Sequence, residues 1–270
     1  MVKYAAVWQS PESTMTGARE KTLRSESGIF LENVGFAYGD SKVLEGITFY
    51  VPKGQVWALV GRSGSGKTTL IHIIAGLFRP LTGEVGISGR EGMGPGRIRG
   101  VVFQEDSLLG WLSVEENVMF PRHRRPTPEL RRTAQDMLTA VGLGDSLSRH
   151  PFELSAGMQK RLEFARALVG DDEYILADEP FGTVDALTRR DLWRLWFDLR
   201  SQRPRTGILA THDPEEAVRL CDAVIVLQRG APGHVAKVFQ IPGGVHQLDV
   251  SREGMELLEL KEEIIESLAE

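Results

Sequence analysis

Val56-Trp57-Ala58-Leu59-Val60-Gly61-Arg62-Ser63-Gly64-Ser65-Gly66-Lys67-Thr68-Thr69 is the stretch that decides how this chain folds. Five consecutive apolar residues without polar alternation describe a strand buried on both faces. Three glycines in the next six positions describe a loop, and residues 68–76 have helical character. Gly61 to Thr68 fits the pattern G-x-x-x-x-G-K-[ST], and it stands between strand and helix as the mechanism of that pattern requires. The glycines let successive N–H groups face a phosphate, and the helix presents its positive end to the same anion. Lys67 supplies a point charge for the outer phosphates, and the Thr68 hydroxyl is a ligand for Mg2+. Gly61, Arg62, Ser63, Gly64, Ser65, Gly66, Lys67, Thr68 and Thr69 are therefore candidate nucleotide contacts.

A second half-site is legible farther along. Tyr174-Ile175-Leu176-Ala177-Asp178-Glu179 reads as a buried strand that ends in two acids. Asp178 is the candidate Mg2+ ligand, directly or through a water, and Glu179 is placed to orient or deprotonate an attacking water. Around these units, residues 29–34 and 47–51 predict an antiparallel sheet, with the turn Tyr38-Gly39-Asp40 between them. A short strand is expected at 100–103, and a helix at 127–141 with Pro128 in its first turn. Ser155 can cap a helix reaching Leu168, and 187–199 is amphipathic. Strands at 206–210 and 223–227 flank a helix at 214–220, so strands and helices alternate as in a parallel-sheet protein.

The ends of the chain read differently. Residues 1–27 are polar and charged without apolar periodicity and predict a flexible leader. Residues 28–245 predict one nucleotide-binding domain, and in 246–270 Leu257, Leu260, Ile264 and Leu268 line one face of an amphipathic helix that docks on the domain or on a partner. A length of 270 residues, 41% of them hydrophobic, suffices for one large core. No apolar run approaches the roughly 18 residues of a membrane span, and the start lacks the chemistry of a secretory signal, so a cytoplasmic protein is expected. A formal charge of −5 with mixed signs argues against nucleic acid as a partner. The basic run Arg122, His123, Arg124, Arg125 with Arg131 and Arg132 reads as solvated surface. A single cysteine, Cys221, excludes an internal disulfide and a cysteine metal cluster, and reads as a packing residue.

Leu154-Ser155-Ala156-Gly157-Met158-Gln159 resembles the signature of the ABC ATPases, usually LSGGQ, and it precedes the acid-ending strand in that family's order. The resemblance covers about residues 29–240. Tyr38 resembles the aromatic that stacks on adenine, Gln104 the Q-loop glutamine, Asp185 the D-loop aspartate and His212 the switch histidine. It implies an α/β P-loop NTPase with a mainly parallel core sheet, an antiparallel β-subdomain and a helical subdomain. It also implies ATP and Mg2+, the metal held through Thr68, Gln104 and Asp178. Two copies would face head to tail, with ATP between the loop at Lys67 of one and Ser155, Ala156, Gly157 and Met158 of the other. Lys67, Gln104, Glu179 and His212 are then the catalytic candidates. Ala156 stands where the first signature glycine is usual; a methyl fits there if the backbone is helical or extended.

Met158, the run from Glu179 to Arg189 and Thr211-His212-Asp213-Pro214-Glu215-Glu216-Ala217-Val218 resemble the branch that imports nitrate, sulfonates or taurine. So does Gln104-Glu105-Asp106-Ser107-Leu108-Leu109-Gly110-Trp111, with Gly110 where relatives usually have proline. This branch implies an ATPase on the cytoplasmic face of the inner membrane, partnered by a separate transmembrane permease. Indirectly it serves a periplasmic or lipid-anchored solute-binding protein. Leu108, Leu109 and Trp111 are candidates for a permease socket or for local core. An exporter cassette, or one for another solute, is the alternative. A soluble non-transport ABC ATPase would carry two cassettes or a long coiled-coil insertion, a GTPase would carry N-K-x-D, and a non-hydrolysing cassette would have lost Glu179 or His212.

Overall fold

The computed structural model describes residues 28–87, 90–91, 99–103, 107–120, 127–170, 172–182, 184–228, 230, 232–241 and 253–269. Gly28–Tyr38 (β1), Ser41–Pro52 (β2), Val56–Val60 (β3), Lys67–Ile74 (α1), Thr82–Ile87 (β4) and Arg90–Glu91 (β5) come first. Arg99–Val102 (β6), Val114–Met119 (α2), Pro128–Ala140 (α3), Ala156–Leu168 (α4), Tyr174–Asp178 (β7) and Ala186–Gln202 (α5) follow. Thr206–Thr211 (β8), Pro214–Leu220 (α6), Ala223–Gln228 (β9), His234–Gln240 (β10) and Glu253–Ala269 (α7) complete the order. These elements form two compact units, one drawn from 28–96 and 204–269, the other from 97–203.

In the first unit an antiparallel sheet runs β2-β1-β4-β5. Its register sets Ile29 opposite Val51 and Ile87, and Leu31 opposite Phe49 and Val85, so apolar side chains meet across strands on one face. A second set of strands runs β10-β9-β3-β8, with β3 parallel to both β8 and β9 and β10 antiparallel at the edge. Every residue of β3 and β8 is buried, which is why β3 shows no polar alternation. Asp222 sets the start of β3: its carboxylate accepts from the Val56 N–H at 2.7 Å and its own N–H donates to the Val56 carbonyl at 2.8 Å. That anchor fixes the far end, where Val60 lies opposite both Thr211 and Val226. Helix α7 packs against α6 and β9 through the buried Leu260 and Ile264, and its Lys261 reaches Glu215 at 3.4 Å.

In the second unit β6 and β7 pair in parallel, and α4 lies close on β6. A Cβ on Gly100 would stand 2.2 Å from the Ala167 carbonyl oxygen, so only glycine fits there. Phe164, Phe181 and Trp196 fill the core, with Phe164 and Phe181 stacked at 5.6 Å and Trp196 edge-on to both. A charged cluster is buried beside them. Lys160 and Glu163 pair at 2.9 Å with 5% and 2% of their side chains exposed. The other Glu163 oxygen accepts from the Ser107 N–H at 3.2 Å, while Arg166 donates to the Ser107 carbonyl and hydroxyl. Burial draws the Arg166 guanidinium below its ordinary value, against the opposing pull of Glu163.

All the expected helices and strands are present among the described residues, and β1 and β2 are longer than expected because each continues past its buried part into exposed pairing. Four of the named elements were not foreseen, the shortest being Arg90–Glu91, which extends the sheet by pairing with β4. Thr82–Ile87 holds two glycines and begins exposed, and becomes a strand by pairing with the open edge of β1. His234–Gln240 alternates and pairs with β9, and Val114–Met119 is a short helix begun by a capping box of Ser113 and Glu116. Cys221 is fully buried, as a packing residue should be. Arg131 and Arg132 are exposed, whereas the leader 1–27 and the basic run 122–125 lie outside the described residues. Among the described residues no helix is long and apolar enough to cross a membrane. Because removing one member of a buried pair strands the other charge, Glu163→Ala should lower unfolding free energy by about 3–5 kcal/mol. Urea denaturation checks this, and a loss below about 1 kcal/mol would contradict it.

Candidate functional site

Beyond Val60 the chain curls through Gly61–Gly66 before α1 begins. The Ser65 N–H donates to the Arg62 carbonyl at 3.1 Å, and Gly66 has φ +97°. A Cβ on Gly66 would also stand 2.6 Å from Leu44 Cδ2, so torsion and space both demand glycine. Helices α2, α3, α4, α5 and α6 are each capped by a side chain, those of Ser113, Thr127, Ser155, Asp185 and Asp213. At α1 the cap is Gly66, with no side-chain hydrogen bond and no acid in the first turn. No side chain of the protein competes with an anion for that helix start. Lys67 is buried, and its ammonium donates to the Gly61 carbonyl at 2.8 Å and lies 3.5 Å from the Arg62 carbonyl, which holds the charge across the loop. Thr68 is exposed at the helix start, where its hydroxyl can reach a ligand.

Thr69 points elsewhere: its hydroxyl lies 3.3 Å from the Tyr38 hydroxyl. Tyr38 is 52% exposed, with its ring edge-on to Phe36 at 5.1 Å and to Phe78 at 6.0 Å. Phe36 and Phe78 stack at 5.5 Å, and His72 abuts Phe78 edge-on at 5.1 Å. The result is a buttressed aromatic platform hydrogen-bonded to the phosphate-loop helix. Sequence reasoning singled out Tyr38 but missed Phe36, His72 and Phe78; Phe36, two residues earlier on the same strand face, was the available signal. In the same unit His212 follows Thr211 just as Gly61 follows Val60, and Thr211 pairs with Val60, so the register brings the exposed His212 to the strand end that carries the loop.

The second unit carries the other candidates. Asp178 ends β7 and is 1% exposed. Glu179 comes next with φ +47°, a left-handed torsion that costs a non-glycine residue about 1–3 kcal/mol. A tight turn maintains it: the Gly182 N–H donates to the Glu179 carbonyl at 3.2 Å, Pro180 is buried, and Phe181 is locked between Phe164 and Trp196. No residue pattern announces that torsion.

Ser155 caps α4, its hydroxyl accepting from the Met158 N–H at 3.3 Å. Gln159 braces the preceding turn by donating to the Pro151 carbonyl at 2.8 Å. Ala156 is exposed and is the first residue of α4, so its helical backbone carries the methyl without steric cost. Gly157 has no such latitude, since a Cβ there would meet Thr188 Cγ2 at 2.7 Å. Thr188 cannot easily yield: its hydroxyl donates to Asp185 Oδ2 at 2.6 Å. Asp185 Oδ1 caps α5 at 3.0 and 3.1 Å from the Leu187 and Thr188 N–H groups. The Thr188 hydroxyl, and after it the backbone N–H groups, hold the Asp185 carboxyl below its ordinary range. Gln104 lies outside the described residues.

Residues 44–182 match the family described as ABC transporter. The chain belongs to that family. This ABC protein is 37% identical over 223 residues to the taurine import ATP-binding protein TauB of Roseobacter denitrificans, covering 80% of this chain and 83% of TauB. It is 40% identical over 225 residues to the aliphatic sulfonates import ATP-binding protein SsuB of Mycobacterium avium, covering 79% of this chain and 86% of SsuB. A solved dimeric ATP-binding cassette in a post-hydrolysis state, bound to ADP and Pi, superposes with a TM-score of 0.69 at 29% identity, over 80% of this chain and 99% of that one. The ABC protein is thus an α/β ATPase that binds ATP.

The contact of Gly157 with Thr188 yields a test. Gly157→Ala should lower ATP turnover about tenfold or more by displacing the start of α4. Thr188→Ser, which deletes the clashing methyl and keeps the hydroxyl on Asp185, should restore most of it. Failure of the second change to restore turnover would refute the steric account.

Proposed function

We propose that this ABC ATPase energises uptake of a small anion of the nitrate, sulfonate or taurine kind, as a peripheral subunit on the cytoplasmic face of the inner membrane. In this reading residues 28–245 are the nucleotide-binding domain and 246–270 a terminal helix; 1–27 form a leader. Two copies work head to tail beneath a transmembrane permease fed by a solute-binding protein. Identity to TauB and SsuB over about four fifths of the chain supports the importer assignment. The observation that carries the hydrolytic assignment is Glu179, directly after the buried Asp178, held in a left-handed backbone by the Phe181 anchor.

The chemistry follows from the residues. Lys67 and the leading N–H groups of α1 grip the phosphates, and Tyr38 stacks on the adenine. Thr68 and Asp178 are hard oxygen donors suited to Mg2+, with Gln104 as a further candidate. When bound, the metal would neutralise charge on the outer phosphates. Glu179 orients and deprotonates the attacking water while His212 holds the γ-phosphate. Ser155 and the start of α4 in the second copy meet the same phosphate, Gly157 giving its backbone N–H and Ala156 and Met158 lining the approach. Asp185, whose carboxylate is committed to its own helix, shapes the neighbouring turn. Hydrolysis removes the bridge between copies, and the dimer opens.

Glu179→Gln should bind ATP and accumulate as a dimer with turnover reduced at least about 100-fold, read by size exclusion with ATP and by phosphate release. Wild-type turnover by this variant would overturn the assignment of the base.

The permease surface has its own support. Trp111 is 73% exposed at the tip of a turn, and the fully buried Asn117 holds that turn. The Asn117 amide accepts from the Leu109 N–H at 2.8 Å and donates to the Leu109, Leu112 and Ser113 carbonyls at 3.0–3.1 Å. Leu108 and Leu109 beside it are half-buried, so they serve core and surface together. Trp111→Ala should leave the melting temperature unchanged and reduce co-purification with the permease; undiminished co-purification would remove this surface from the reading.

A further inference from the structure

The buried carboxylate of Glu216 and the fully buried Thr211 are used by none of the steps above. Thr211 is the last residue of β8, and Glu216 lies in α6 with 3% of its surface exposed. The Thr211 hydroxyl donates to Glu216 Oε2 and accepts from the Asp213 N–H at 3.1 Å. The Thr211 hydroxyl thus gives its single proton to Glu216 and takes the Asp213 N–H on its lone pair. The second bond closes a turn from residue 211 to residue 213, and His212 is the residue enclosed. Asp213 then caps α6 by accepting from the Glu215 N–H at 2.8 Å.

We propose that Thr211 and Glu216 are positioning residues that fix His212 at the phosphate loop, an inference that rests on the assignment of His212 as the γ-phosphate contact. Thr211 is registered on Val60, the residue before Gly61, and Gly61 is the carbonyl that Lys67 holds. Pinning Thr211 therefore pins the histidine-bearing turn to the level of the anion site. Burying a carboxylate is costly unless it is hydrogen-bonded, and a merely structural helix residue at that position would not need one. The bond to Thr211 gives that buried carboxyl group a task that an apolar residue could not perform. Freed of it, the turn can still form, but His212 samples positions away from the phosphate, which costs turnover more than binding.

The test uses the full chain with ATP and Mg2+. Thr211→Val should lower kcat about tenfold with KM for ATP within about twofold of its original value. Thr211→Ser, which keeps the hydroxyl, should return kcat to within about twofold. In a His212→Ala background, Thr211→Val should cause no further loss, because the group it positions is gone. Unchanged kcat in Thr211→Val, a matching rise in KM, or an equal further loss in the His212→Ala background overturns the proposal. Normal turnover by His212→Ala itself would instead remove the parent assignment. Should Thr211→Val fail to fold, Glu216→Leu, which removes the acceptor at similar volume, decides: a fall of about threefold or more in kcat at constant KM supports the pairing, and unchanged kcat overturns it.

Discussion

The structure depends on one arrangement, a helix start left without a capping side chain at the end of a strand buried on both faces. Unsatisfied N–H groups are a liability that the other capped helices avoid with a serine, threonine or aspartate. At α1 no side chain caps the helix start, and Gly66 removes even the option of one. Asp222 matters for the same reason, since it sets where β3 starts and hence where the uncapped end falls.

The second unit solves a different problem. Glu179 holds a backbone that a glutamate resists, and packing offsets the cost. Burying a phenylalanine side chain contributes about 1.5–3 kcal/mol. That is of the same order as the cost of one left-handed residue, about 1–3 kcal/mol. Phe181 is fully buried two positions after Glu179, so the anchor and the strain sit within one turn. Helix α4 adds a further constraint, because Gly157, Thr188 and Asp185 link the start of one helix to the start of the next.

Most of the fold was legible because its signals are local. A continuous apolar run, glycines at a fixed spacing and acids at a strand end each state their own environment, and Ser155, Pro128 and the face Leu257-Leu260-Ile264-Leu268 did likewise for helices. What stayed hidden is set by partners distant in sequence. Thr82–Ile87 becomes a strand only because β1 has an open edge, and Phe78 joins the aromatic platform only once β1 has brought Phe36 alongside. The torsion at Glu179 and the bond from Thr211 to Glu216 are invisible for a related reason: both residues are ordinary in composition and unusual only in place.

The platform around Tyr38 has a consequence for fuel choice. It is made of rings, and a ring attracts any flat heterocycle through its face while reading none of the donors and acceptors on the heterocycle's rim. On the proposed stacking of the base against Tyr38, this position would therefore discriminate little between purines, and any preference for adenine would have to come from contacts to the rim of the base.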